Sequence, residues 1–199
     1  MNKLLQIPKI LYHGTTTFNN EYLTLKSIDK IDVNYGDKLS DFGQGFYLTS
    51  VYKQALSYAR MKANRNTKFG KICHPVIIKY ELDIEGLQQN CNGTILDKPD
   101  EKWTEFIYNN RVKSETECIS HFHNRAKMHD YVYGYLADGK IATIIDEYRK
   151  NKEININSLS KEIRPYFSDN NDQCSLHSKD AIKYLKFIEI LYDKSYKKR

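Results

Sequence analysis

Two short stretches hold residues whose types and spacing can do chemistry. The first is Tyr12-His13-Gly14-Thr15. A histidine following an apolar stretch can hydrogen-bond a sugar hydroxyl through its ring nitrogens. Gly14 beside it lets a flat ligand approach the backbone, whose N–H and C=O can pair with a carboxamide. The second is Gly43-Gln44-Gly45-Phe46-Tyr47-Leu48-Thr49, followed by Ala55-Leu56-Ser57-Tyr58-Ala59. Two glycines before an aromatic segment allow close approach, and Tyr47 and Tyr58 can sandwich a planar ring. The same residues also fit plainer roles: a tight turn with a surface histidine, and core aromatics in a chain with 16 tyrosines.

Such residues need elements to position them. Ile10, Leu11 and Tyr12 read as a short buried strand that runs into a turn at His13-Gly14-Thr15. Residues 19–40 have no clear period and read as a long loop with a short helix. Residues 42–48 form a glycine-hinged segment entering a strand, after which Val51, Ala55, Tyr58 and Ala59 share one helical face. Residues 76–82 predict a strand. Pro99, Asp100 and Glu101 mark a helix start that Trp103, Phe106, Ile107 and Asn110 continue. Residues 131–136 predict another strand, and Ile141, Ile144, Ile145 and Tyr148 the next helix. Residues 154–157 and 168–172 read as connectors, and 173–176 as the final strand. Ser178 suits an N-cap and Asp180 a first turn. Ala181, Tyr184, Leu185, Ile188, Leu191 and Tyr192 then recur at helical spacing, which predicts an amphipathic helix. Strands and helices mix without a regular βαβ alternation, so the expected fold class is α+β.

Composition narrows the function classes. With 199 residues, 40% of them hydrophobic, residues 1–199 are expected to form a single domain around one core. No run approaches the roughly 18 apolar residues a membrane helix needs, so no membrane is expected as a partner. Pro8 and Lys9 interrupt the N-terminal apolar stretch, which argues against a signal peptide. Cys73, Cys91, Cys118 and Cys174 form no CxxC pair and read as free thiols in a cytoplasmic protein, or in an effector secreted without a signal peptide. The net charge is +6, but Lys194, Lys197, Lys198 and Arg199 crowd into a basic tail at 194–199. The body is close to neutral, so composition alone does not argue for a nucleic-acid groove. Cys118, His121, His123 and His129 match no common structural zinc spacing, and no metal is expected. No P-loop, Rossmann fingerprint or G-x-S-x-G elbow occurs.

The two motifs resemble the catalytic domains of poly(ADP-ribose) polymerases. Those domains carry a histidine-glycine turn, a glycine-x-glycine-x-tyrosine segment and a second tyrosine on the next helix, in the order and spacing of Tyr47 and Tyr58. The chain is more similar still to a family of small bacterial ADP-ribosyltransferase-like proteins, often encoded as toxins beside a small antitoxin. That likeness covers the Phe42–Thr49 segment, the helix with Trp103, Phe106 and Arg111, and the ending Gln173-Cys174-Ser175-Leu176-His177-Ser178, roughly residues 10–190 in all. It implies a split β-sheet core with flanking helices, and NAD+ as co-substrate for mono-ADP-ribosylation of a cytoplasmic protein or nucleic acid. It implies His13, Tyr47 and Gln173 as catalytic residues. Around NAD+ it implies His13, Gly14, Thr15, Phe46, Tyr47, Tyr58 and Arg60, with Thr15 adding a hydroxyl and Arg60 reaching a phosphate. A cognate antitoxin is the further partner implied. Gln173 departs from the family pattern, because it stands where many transferases carry a catalytic glutamate. A glutamine accepts a ribose hydroxyl but brings no negative charge. That departure speaks against polymer elongation and keeps two alternatives open: an NAD+ glycohydrolase, or a non-catalytic module that binds NAD+ or ADP-ribose.

Overall fold

The computed structural model describes residues 6–70, 73–137, 140–150, 154–165 and 171–196. The connector expected at 168–170 and the tail residues Lys197, Lys198 and Arg199 lie outside them. The described strands are β1 (Ile10–Thr16), β2 (Phe46–Leu48), β3 (Pro75–Leu82), β4 (Gly93–Leu96), β5 (Tyr131–Tyr135), β6 (Asp172–Leu176) and β7 (Leu185–Tyr192). The helices are α1 (Glu21–Thr24), α2 (Tyr52–Lys68), α3 (Ile84–Asn90), α4 (Glu101–Arg111), α5 (Ile141–Tyr148), α6 (Ile156–Glu162) and α7 (Lys179–Ile182). One sheet has the order β1-β3-β7 and is antiparallel throughout. The other has the order β2-β6-β5-β4, with only β4 and β5 parallel. The fold is therefore α+β with two sheets.

Strand alternation divides the interior into two cores. Leu11, Ile78, Tyr80 and Leu82 of the first sheet pack with Phe46, Leu48, Tyr131, Tyr133, Cys174 and Leu176 of the second. Val132, which falls between Tyr131 and Tyr133, joins Leu96 and the helical residues Trp103, Phe106, Ile107, Ile141, Ile145 and Leu159 instead. The second sheet is thus covered by the first on one face and by α4, α5 and α6 on the other. The expected start of α4 holds: the Asp100 side chain accepts from Trp103 N.

Three expectations need correction. His13, Gly14 and Thr15 do not form a turn; they continue β1 in register with Ile78, Ile77 and Val76. The stretch after 154 is not a plain connector, since Asn155 caps α6 through Ser158 N. The expected C-terminal amphipathic helix is largely absent. Ser178 does cap a helix, but α7 ends at Ile182, and β7 follows as a further strand pairing with β3. Both faces of β7 carry apolar residues, and this is what imitates a helical period. Lys79 pairs with Glu189 and Tyr80 with Phe187, so Ile188 is an extra residue at a β-bulge. Leu185 then lies on the face toward the core and Leu191, opposite Ile77, on the other face, although both fit the helical spacing.

Helix α2 lies against β1 and β3 through a stripe of alanines, Ala55, Ala59 and Ala63. The approach is so close that a Cβ on Gly14 would stand 2.2 Å from the Ala55 carbonyl oxygen and 3.2 Å from Ala59 N. Gly14 is thus small because a helix backbone occupies the space, which is a use of the glycine that its sequence context did not reveal. Gly14→Ala is expected to lower the unfolding free energy by about 1–3 kcal/mol, as overpacking does, measured by urea unfolding. Wild-type stability in that variant would show that α2 can move away freely.

Candidate functional site

Strands β1 and β2 meet for a single step and then part. Tyr12 and Thr49 exchange backbone hydrogen bonds of 2.7 and 3.0 Å, and this bridge is isolated. A continued antiparallel ladder would next join Gly14 to Tyr47. His13 prevents it. Its Nδ1 lies 2.7 Å from the Tyr47 carbonyl oxygen, the acceptor that the Gly14 N–H would otherwise use. Because Tyr12 directs its N–H and C=O toward β2, alternation directs those of Gly14 the same way. The Gly14 N–H and C=O and the Tyr47 N–H are therefore directed to the edge where β1 and β2 part, with no ladder pairing between them among the described residues.

The electrostatics of His13 follow from this bond. A carbonyl only accepts, so Nδ1 carries the proton and Nε2 is left as an acceptor. The ring stacks on Phe46 at 4.5 Å between centroids. Burial pushes the imidazole down to about 4, against the opposing bond to Tyr47, and the charge of Lys62 adds to the fall.

The ring of Tyr47 leaves the opposite face of β2 from Phe46, because neighbours alternate. Its hydroxyl donates to Gly43 O at 2.6 Å and accepts from Phe42 N at 3.0 Å. Gly43 adopts φ +85°, a left-handed conformation suited to glycine. Burial and the nearby Asp41 carboxylate raise the Tyr47 phenol well above its ordinary range. The hydroxyl thus anchors the 41–43 loop as a neutral group, while the ring remains only half-buried.

Gln173 shares this face, two residues along β6 from Ser175, which is paired with Tyr47. It is buried, and its Nε2 donates to Asp41 Oδ2 at 3.0 Å. Since a carboxylate only accepts, this contact assigns the amide orientation and turns Oε1 away from Asp41. The other Asp41 oxygen is paired with Arg111 Nε. A carboxylate does stand in this region, at Asp41 and not at 173. Its partners lie 70 and 132 residues away along the chain, so no local spacing could have pointed to it.

The remaining expected residues separate. Thr15 is buried in β1. Tyr58 is exposed on α2, beside the alanine stripe, and makes no ring contact with Tyr47 among the described residues. Arg60 is committed elsewhere: Nε lies 2.7 Å from Asp193 Oδ2, and Nη2 donates to Ser195 Oγ at 2.8 Å. That pairing engages the guanidinium that was expected at a phosphate. Lys62 is the cation whose charge reaches His13; it is half-buried, has no ion pair among the described residues, and burial lowers its ammonium. The buried His177 donates from Nδ1 to Gln44 O at 2.9 Å and accepts at Nε2 from Ser175 Oγ at 2.8 Å. Burial takes it down to about 4 as well. Among the described residues no group of three or more His, Cys, Asp or Glu side chains can hold a metal ion, and no helix is long and apolar enough to cross a membrane.

Fold and site define a two-sheet α+β protein with a polar gap where the sheets adjoin. Residues 9–187 match the family described as "Protein of unknown function (DUF3990)", and the chain belongs to that family. No curated protein and no solved structure matches it significantly.

His13 and His177 have folded pKa values below the unfolded 6.5, so the unfolded chain binds more protons between 6.5 and about 4. Stability is therefore present above 6.5 and falls as the pH drops toward 4. Ring resonances followed by NMR should stay those of neutral Nδ1–H imidazoles from pH 7 to 5; titration near 6.5 would contradict their burial. At Gln173, a glutamate would set two carboxylates in contact with each other. Gln173→Glu is expected to destabilise the protein by about 1–3 kcal/mol at pH 7 and less at pH 5, where one of the two binds a proton. Equal unfolding midpoints at pH 7 would refute the contact with Asp41.

Proposed function

We propose that the chain is an NAD+-dependent mono-ADP-ribosyltransferase whose nicotinamide occupies the gap between β1 and β2. The observation that carries this reading is the unpaired Gly14 backbone beside the Tyr47 ring. A carboxamide has one acceptor and two donor hydrogens, and an adjacent N–H and C=O match it with two hydrogen bonds. The half-buried Tyr47 ring offers a face to the pyridinium. The resemblance of the residues around His13 and Tyr47 to polymerase catalytic domains supports the same placement.

In this reading the His13 Nε2 accepts from a ribose hydroxyl, and Gln173 Oε1 accepts from another. Asp41 keeps the Gln173 amide from flipping, and Lys62, in place of Arg60, meets the pyrophosphate. The bond from the ribose C1′ to the pyridinium nitrogen breaks, and its electron pair leaves with nicotinamide, now neutral. The ribose becomes oxocarbenium-like, as in glycoside cleavage. A nucleophile of the acceptor then bonds to C1′ and loses its proton. Positioning supplies most of the acceleration, since the leaving group needs no proton. Asp41 adds negative charge near the developing cation, although it is held one side chain back.

Incubation of the protein with labelled NAD+ and a bacterial lysate, followed by separation of protein from nucleic acid, tests the reading. Wild type should place single ADP-ribose units on one fraction. Gln173→Ala should reduce labelling by about 10²–10³, the usual effect of removing one transition-state hydrogen bond. Free ADP-ribose as sole product would assign a glycohydrolase. NAD+ binding without turnover would assign a binding module, the alternative that the missing carboxylate at Gln173 keeps open. Long ADP-ribose ladders, or no NAD+ binding at all, would overturn the proposal.

A further inference from the structure

The near-neutral body of the chain conceals a strong local separation of charge. Helix α2 carries Lys53, Arg60, Lys62, Arg65 and Lys68 and no acidic residue over its 17 positions. Only Arg60 has a carboxylate partner; Lys53, Lys62, Arg65 and Lys68 have none among the described residues. Arg65 and Lys68 sit in the last turn, where the helix dipole favours cations, and neither is paired with an acid among the described residues. Tyr58, Met61, Arg65 and Lys68 recur at i, i+3, i+7 and i+10 and share one outer stripe. All four are exposed, and so is Phe69 at the end of the helix. Ser57, Arg60, Met61 and Asn64 border a shallow depression beside Arg65 and Lys68.

The C-terminal segment adds to this surface. Asp193 holds Arg60, and the Tyr196 hydroxyl donates to Asn64 Oδ1 at 2.7 Å, so the exposed Lys194 is tethered alongside α2. The stripe also begins beside the candidate site, because Ala55 and Ala59 of the same helix abut Gly14.

We propose that this outer face of α2 binds single-stranded nucleic acid, which serves as the acceptor of the transfer. The acceptor role rests on the transferase reading; the binding does not. Arg65 and Lys68, one turn apart on this line and without an acid partner among the described residues, match a phosphodiester backbone. Exposed rings at Tyr58 and Phe69 suit bases that are free to stack, which a duplex does not offer. An acidic protein segment would satisfy the cations but leave the exposed rings without bases to stack on, so nucleic acid fits the face better.

The test uses the full chain and fluorescent mixed-sequence oligonucleotides, RNA and DNA, single-stranded and duplex, read by anisotropy. Arg65→Glu with Lys68→Glu should weaken single-strand binding at least about tenfold and flatten its dependence on salt. Lys98→Glu with Lys161→Glu makes the same change of net charge on exposed residues elsewhere and should leave binding near wild type. Circular dichroism and NAD+ titration should be unchanged in both double variants. No binding by wild type, equal weakening in both variants, or tighter binding to an acidic peptide, to anionic vesicles or to duplex would overturn the surface. Adding labelled NAD+ to the bound oligonucleotide then separates the two claims. Label on the strand supports the acceptor role, whereas site-dependent binding without label overturns that role and leaves the surface standing.

Discussion

The hydrogen bond from His13 Nδ1 to the Tyr47 carbonyl decides where the two sheets separate. Without it, the pairing begun at Tyr12 and Thr49 has every reason to continue, since backbone groups left unpaired in an interior are costly. With it, a side chain stands in for a strand partner, and the backbone of Gly14 is released. The bond also selects the tautomer of His13 and joins its ring to Phe46. One contact thus sets the strand geometry, the free polar groups and the protonation state together.

Two buried carboxylates hold the gap open from behind. Asp172 accepts from Thr49 Oγ1, Ser50 N, Ser50 Oγ and Tyr133 Oη, and so ties the end of β2 to β5 and β6. A buried charge is tolerated only when its oxygens are satisfied, and these four donors satisfy it. Asp41 is held by Arg111 and Gln173 and fastens the loop ahead of β2 to β6 and α4. The Tyr47 hydroxyl grips the same loop. The aromatic residue of the motif is thereby a structural anchor through its oxygen while its ring borders the gap.

The helix beside the gap has two unlike faces. Its inner face is pressed on Gly14 so closely that a Cβ there would run into the Ala55 carbonyl. Its outer face instead collects cations that no neighbouring acid neutralises. Arg60, which by position in the sequence reads as a ligand group, is used to bind the end of the chain to this helix.

Much of the fold was legible locally. Strands β3 and β5, the cap at Asp100 and helix α2 follow from apolar period and capping chemistry, which act within a turn or two of chain, although the face read as Val51, Ala55, Tyr58 and Ala59 buries Ala55, Ala59 and Ala63 and leaves Tyr58 exposed. The histidine-glycine and glycine-tyrosine motifs could be singled out from residue types alone. The helix expected at the C-terminal end could not be corrected locally, because apolar residues on both faces of β7 give a strand the spacing of a helix, and only pairing with β3 separates the two. Neither Asp41 nor the ion pair of Arg60 could be recognised, since their partners come from distant segments. Whether Gly14 serves a turn or a helix contact was equally a matter of what packs upon it. Residue types and short periods were thus set by the sequence itself. Which backbone groups stay unpaired, which carboxylate stands beside Gln173 and which cations remain without partners were settled by tertiary contacts, because each depends on atoms that folding alone brings within hydrogen-bonding distance.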